Sequence, residues 1–127
     1  MHTILIVDDE RDTLDYLKWQ LEKYNFHVIT TDNGFDAIQN LREEKIDLIL
    51  CDIAMPDMDG YELYSQIRNF NDKVPIIMMT GFGYDPGHVL VKAKRNGLHD
   101  IIFKPFETKE LLDKISSTLK NKNQEDL

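Results

Sequence analysis

Short unbroken apolar runs alternate along this chain with stretches in which apolar residues recur every three or four positions. The unbroken runs are TILIV (3–7), FHVIT (26–30), LILC (48–51), PIIMM (75–79) and IIF (101–103). They are rich in β-branched residues and mostly lack a polar face, the pattern of strands covered on both sides. The proline of the fourth run stands at its first position, where a lost N–H matters least. Between the runs the period changes. Residues 9–25 place Leu14, Leu17, Leu21 and Tyr24 at helical spacing with charges between them. Asp32, Asn33 and Gly34 make a break that can cap a second helix carrying Ala37, Ile38 and Leu41. A third helix over 61–70 presents Leu63, Ile67 and Phe70, and a fourth over about 86–96 is stopped by Gly97. The last, capped by Thr108, carries Leu111, Leu112, Ile115 and Leu119.

Five successive β–α units predict a parallel sheet with helices on both faces. Right-handed crossovers then make it a doubly wound α/β sandwich. At 127 residues the chain fits one domain, expected over 1–120, with 121–127 a polar tail or the start of a linker. Composition changes the picture little: 42% hydrophobic and 30% charged residues are ordinary for a globular protein. Net charge says more, because −8 argues against direct binding to nucleic acid. Cys51 is the only cysteine, so no internal disulfide forms and the thiol suits a reducing compartment. No apolar run approaches the roughly 18–20 residues of a membrane span, and no leader pattern opens the chain. The expected setting is soluble and cytoplasmic.

In such sheets ligands bind beyond the carboxyl ends of the strands. Asp8, Asp9 and Glu10 follow the first strand, Asp52 the third, Thr80 and then GFGYDPG the fourth, and Lys104–Pro105 the fifth. Taken singly, each has a plain reading. Asp8 and Asp9 would cap the first helix, and Lys104 would be a solvated lysine. Together they are harder to dismiss. Carboxylates converging on one edge repel, and a hard divalent cation with oxygen ligands, magnesium above all, relieves that repulsion. A lysine and a hydroxyl beside it add donors for an anion, which makes a phosphoryl-binding site. Asp52, at the end of a buried strand, is placed to attack phosphorus and form an acyl phosphate. Cys51 points to the opposite face by strand alternation and reads as core. The histidines (2, 27, 88 and 99) lack metal-ligand spacing, Asp57 and Asp59 read as turn acids, and Met55 and Met58 as packing. Trp19 lies off the Leu14–Leu17–Leu21 stripe and reads as a rim residue.

ILIVDDE, LILCDIAMPDMDG, IIMMTG and FKPF resemble the signature blocks of the receiver domain of two-component response regulators, in order and over about residues 3–120. The resemblance implies a flavodoxin-like five-stranded sheet of order 2-1-3-4-5. It implies that Asp52 accepts a phosphoryl group from a phosphohistidine of a sensor histidine kinase or histidine phosphotransfer protein. Asp9, Asp52 and the backbone carbonyl of Ala54 would hold Mg2+, with Asp8 acting mainly through a bound water. Lys104 would pair with phosphoryl oxygens, Thr80 would move to hydrogen-bond one of them, and the Lys104–Pro105 peptide would be cis. Such a domain is a phosphorylation switch rather than a turnover enzyme. It signals to a downstream protein or a fused output domain, and homodimerisation on phosphorylation is left open. Two departures stand out: Ile101 occupies a position where the family usually has Tyr or Phe, with Phe103 on the same strand face, and the 80–97 stretch is rich in glycine. The main rival reading is a receiver-like scaffold that is never phosphorylated. A dehalogenase-type phosphatase would want an acid at Ala54, and a flavodoxin would want a phosphate loop in place of DDER.

Overall fold

Each apolar run becomes a strand, and the alternation within it decides which of two cores its side chains enter. A computed structural model describes residues 1–52, 60–71, 73–81 and 100–125. In chain order the elements are β1 (Thr3–Val7), α1 (Arg11–Glu22), β2 (His27–Thr31), α2 (Gly34–Glu43), β3 (Leu48–Asp52), α3 (Gly60–Phe70), β4 (Ile76–Thr80), β5 (Asp100–Phe103) and α4 (Thr108–Glu125). The strands form one sheet in the order β2-β1-β3-β4-β5, every pair parallel. The doubly wound sheet expected from the pattern is therefore observed. The expected helix over 86–96 lies outside the described residues, as do Ala54, Met55, Asp57, Met58, Asp59, His88 and His99.

On one face Leu5, Val7, Ile49, Cys51, Ile76 and Met78 pack with Ala37 of α2 and Leu63, Tyr64 and Ile67 of α3. On the other, Ile4, Ile6, Leu48, Leu50, Ile77, Met79 and Ile102 meet Leu14, Leu17 and Leu21 of α1 and Leu111, Ile115 and Leu119 of α4. Cys51 is thus core, on the side away from the first and last helices. The break before the second helix also holds its cap. The side chain of Asn33 accepts a hydrogen bond from the Asp36 N–H at 2.8 Å, as a residue opening a helix should.

Local chemistry moves some boundaries. Tyr24 does not continue the α1 stripe: the helix ends at Glu22, Asn25 turns the chain at φ 66°, and Tyr24 is 54% exposed. Asparagine tolerates that left-handed conformation, which ends helices. β2 starts one residue later than expected and includes Thr31, while β3 and β4 extend to take in Asp52 and Thr80. Thr108 is the first residue of α4 rather than its cap, because the carbonyl of Glu107 accepts from the Leu111 N–H. That helix runs on through residues 121–125. Trp19 is exposed, with the Lys23 ammonium 3.3 Å above its ring centre, a rim contact of the cation–π kind.

Ile49 is fully buried in the central strand, in register with Leu5 and Ile76 on either side. Ile49→Ala should cost about 2–5 kcal/mol of unfolding free energy, read from urea midpoints at unchanged slope. A loss under about 1 kcal/mol would contradict this packing.

Candidate functional site

The ends of β1, β3 and β5 bring four charged side chains together. Asp8 directly follows β1, and its N–H continues the ladder to the Thr31 carbonyl at 3.2 Å. Its carboxylate is fully buried with both oxygens engaged: Oδ1 accepts from the Glu10 N–H and Oδ2 from Lys104 Nζ, each at 2.9 Å. Asp52 closes β3, is 6% exposed, and has Oδ2 3.6 Å from Lys104 Nζ. Lys104 is aimed by its own backbone, whose N–H donates to the Thr80 carbonyl at 2.7 Å and so prolongs the β4–β5 ladder. The Lys104–Pro105 peptide is cis, as the resemblance implied.

The capping reading of Asp8 and Asp9 survives only in part. Glu10 occupies the cap position of α1 and makes no side-chain capping bond. Asp8 instead turns the chain into the helix through the Glu10 N–H, an Asx-type contact. Asp9 is exposed beside it. Carboxylate oxygens of Asp8, Asp9 and Asp52 all lie within 4.8 Å of one another. This set of hard, anionic donors, two buried and one open to solvent, fits a hard divalent cation that keeps part of its water. The backbone carbonyl of Ala54, expected as a further ligand, lies outside the described residues.

Burial acts to lower the Lys104 pKa, but the hydrogen bond it donates to Asp8 and the charges of Asp52, Asp8 and Glu10 outweigh it, so the net shift is upward from 10.5. The ammonium thus acts as the counter-ion of the cluster.

Thr80 stands apart. It ends β4, is buried, and its hydroxyl has no hydrogen-bond partner among the described residues. Alternation sets it on the side of Ile76 and Met78, whereas Asp52 follows Leu48 and Leu50 to the other side. Among the described residues the Thr80 hydroxyl makes no hydrogen bond to Asp8, Asp52 or Lys104. Thr80 lies one residue beyond Met79, the register partner of Asp52.

A cleft of about 730 Å³ opens over the site, walled by Asp9, Glu10, Asp52, Gly81 and Lys104. It continues along α1 past Asp12 and Thr13 to Tyr16 and Leu17, and along the segment after β5 to Pro105 and Phe106. Of these, Pro105 and Phe106 belong to the FKPF block, whereas Tyr16 was missed from sequence. Tyr16 sits one position off the buried stripe, and nothing local marks it as lining a site.

A raised lysine pKa means that the ion pairs stabilise the fold fully below pH 10.5 and are lost as pH rises through the folded-state value. Unfolding free energy should therefore fall above pH 10.5. Lys104→Met should lack that alkaline decline and be less stable near neutrality by about 1–3 kcal/mol, because the buried Asp8 carboxyl loses its hydrogen-bond donor. Denaturant melts of both proteins across pH check this, and parallel alkaline curves would contradict it.

Comparison with known proteins agrees with this geometry. The family model for the response regulator receiver domain matches residues 4–116. The response regulator receiver protein CpdR of Brucella abortus is 34% identical over 119 residues, covering 94% of this chain and 98% of that protein. The transcriptional regulatory protein ZraR of Klebsiella oxytoca is 35% identical over 116 residues. The chain spans 25% of ZraR and from 20% to 46% of two other longer curated relatives. The crystal structure of a CheY-like response regulator receiver domain protein from Methanospirillum hungatei superposes with a TM-score of 0.93 at 31% identity, covering 98% of each chain. Among the described residues no helix is long and apolar enough to cross a membrane. With its family model matched over most of its length and the acidic pair, strand-end aspartate and lysine assembled in one site, the chain belongs to the response regulator receiver domain family.

Proposed function

We propose that this domain, over residues 1–120 and continuing into a tail or linker, is a phosphorylation switch in the cytoplasm. Asp52 accepts a phosphoryl group from a phosphohistidine of a sensor histidine kinase or histidine phosphotransfer protein. The observation that carries the reading is the position of Asp52: a buried strand-end carboxylate grouped with Asp8 and Asp9 and 3.6 Å from the Lys104 ammonium. An Asp52 carboxylate oxygen attacks phosphorus, the P–N bond breaks, and its electron pair leaves with the imidazole. Lys104 offsets the charge on the phosphoryl oxygens. A divalent cation, Mg2+ in this reading, would be held by Asp9 and Asp52 with the Ala54 carbonyl, and by Asp8 through a water, and would supply further charge neutralisation. The domain promotes only its own phosphorylation and dephosphorylation. Its output is altered binding to a downstream protein or a fused domain, including a second copy of itself as one outcome.

Thr80 supplies the switch. An unpartnered buried hydroxyl costs roughly 1–3 kcal/mol. Turning over the strand end to a phosphoryl oxygen would recover that cost, so phosphorylation favours the turned arrangement.

Two experiments test this. Intact mass after incubation with acetyl phosphate should rise by one phosphoryl group only with Mg2+ present, and Asp52→Asn should show no gain. Absence of any gain, with Mg2+ also failing to raise the unfolding temperature, would leave the non-phosphorylated scaffold as the better reading. Thr80→Val should unfold at the same or a higher urea concentration in the unphosphorylated state, because it removes an orphan hydroxyl at nearly constant shape. The variant should lose the added stability that phosphorylation gives the parent. A destabilisation above about 1 kcal/mol in the unphosphorylated state would mean that the hydroxyl already has a partner.

A further inference from the structure

The turn from β2 into α2 carries an Asn33–Gly34 step, a pairing whose chemistry favours loss of the asparagine side-chain amide. Glycine has no Cβ to shield its backbone nitrogen. Gly34 is also the first residue of α2, where an N–H has no partner within the helix. A nucleophilic nitrogen therefore stands directly beside the carboxamide. What restrains it is the way that carboxamide is held. Asn33 Oδ1 accepts from the Asp36 N–H at 2.8 Å, while Nδ2 donates to Asp32 Oδ1 at 2.9 Å and to Asp36 Oδ2 at 3.0 Å. The Asn33 carbonyl is engaged too, accepting from the Ala37 N–H at 3.2 Å and from Thr31 Oγ1 at 3.4 Å. Closing a ring between Gly34 N and Asn33 Cγ would rotate the carboxamide out of its bonds and turn the backbone away from its extended ψ of 157°.

We propose that Asn33–Gly34 is a deamidation site gated by the cap of α2, closed while the first helical turn holds and reactive when it opens. The Gly34 backbone nitrogen loses its proton to solvent and bonds to Asn33 Cγ. The Cγ–Nδ2 bond breaks, and Nδ2 takes up a proton and leaves as ammonia. Water then opens the cyclic imide, at the side-chain carbonyl to give aspartate or at the main-chain carbonyl to give isoaspartate, with no redox partner required. Either product replaces a donor that sits between two carboxylates with a third carboxylate, and like charges so placed repel. Isoaspartate also adds a methylene to the main chain, which displaces the carbonyl that receives Ala37 and Thr31. Ala37 is fully buried, and the Thr31 carbonyl holds the Asp8 N–H at 3.2 Å, so the lesion lies two hydrogen bonds from the acidic cluster.

The full chain is held at mildly alkaline pH without denaturant, in guanidinium chloride below the unfolding midpoint, and above it. Exchange of amide nitrogen for oxygen is located by mass in proteolytic peptides, because Asn96–Gly97, outside the described residues, is a second such step in the sequence. The rate at Asn33 should be roughly tenfold or more lower in the native chain than in the unfolded one, and should already rise below the midpoint, as opening of a helix end requires. Asn33→Ser, which keeps a capping oxygen but has no amide to lose, should show no exchange at that turn. The isoaspartyl fraction, separated by ion exchange, should unfold at a lower denaturant concentration than the parent. Equal rates in folded and unfolded chain, or a rise only with global unfolding, would overturn the gate. No exchange at Asn33 in the unfolded chain would overturn the site itself. An isoaspartyl fraction as stable as the parent would overturn the part assigned to the cap.

Discussion

A carboxylate with no exposed surface is tolerated in a protein only when its charge is met and its lone pairs are used. Asp8 satisfies both conditions through a backbone N–H at the start of α1 and an ammonium from the end of β5. Those two bonds tie the end of β1 to the start of the helix just beyond it and to a lysine 96 residues later. Asp52 is the third charge in the arrangement, farther from Lys104 at 3.6 Å than Asp8 is at 2.9 Å. In the unphosphorylated state the lysine sits closer to Asp8 than to Asp52, the carboxylate the proposed chemistry uses as nucleophile.

The sheet explains why such a cluster can exist at all. β1, β3 and β4 are central and buried on both faces, so their side chains are apolar until the strands end. The first residues free to be polar are those at the carboxyl edge, and parallel strands put all their carboxyl edges on one side. Register then places Asp52 opposite Met79, with Thr80 next in line.

Much of this was legible in the sequence, for a physical reason: continuous apolar runs and helical stripes are driven by burial, which acts on every residue of an element. The five strands, the faces of α1 and α4, and the inward turn of Cys51 followed from it. Features that depend on a single local contact did not. Tyr24 fits a helical stripe by spacing, but the left-handed Asn25 ends α1 before the stripe reaches it. Thr108 looks like a cap by type, yet the carbonyl that receives the first helical bond belongs to Glu107. In the site, residue types and strand positions announced Asp8, Asp9, Asp52 and Lys104. The choice of Lys104 for Asp8 over Asp52, and the orphaned hydroxyl of Thr80, are matters of tenths of an ångström and of side-chain rotation. The extension of the cleft to Tyr16 depends on a helix passing beside the segment after β5, which no local pattern encodes.

The departure at Ile101 bears on how a change at Thr80 could spread. Ile101 is partly buried against the α2–α3 core and pairs in register with Met78, one turn of the pleat away from Thr80. A β-branched side chain held in that packing is stiff at χ1 and carries no ring to swing. Phe103 is in a different position. It is the register partner of Thr80, shares a strand face with Ile101, and is 60% exposed. The backbone beside it is tied to Thr80 by the Lys104 N–H at 2.7 Å. Any rotation of Thr80 that shifts its own carbonyl therefore acts first on the Phe103–Lys104 peptide, and Lys104 already touches Asp8 and Asp52. The backbone hydrogen bond from Lys104 to the Thr80 carbonyl thus links the aromatic edge on β5 with the charged cluster.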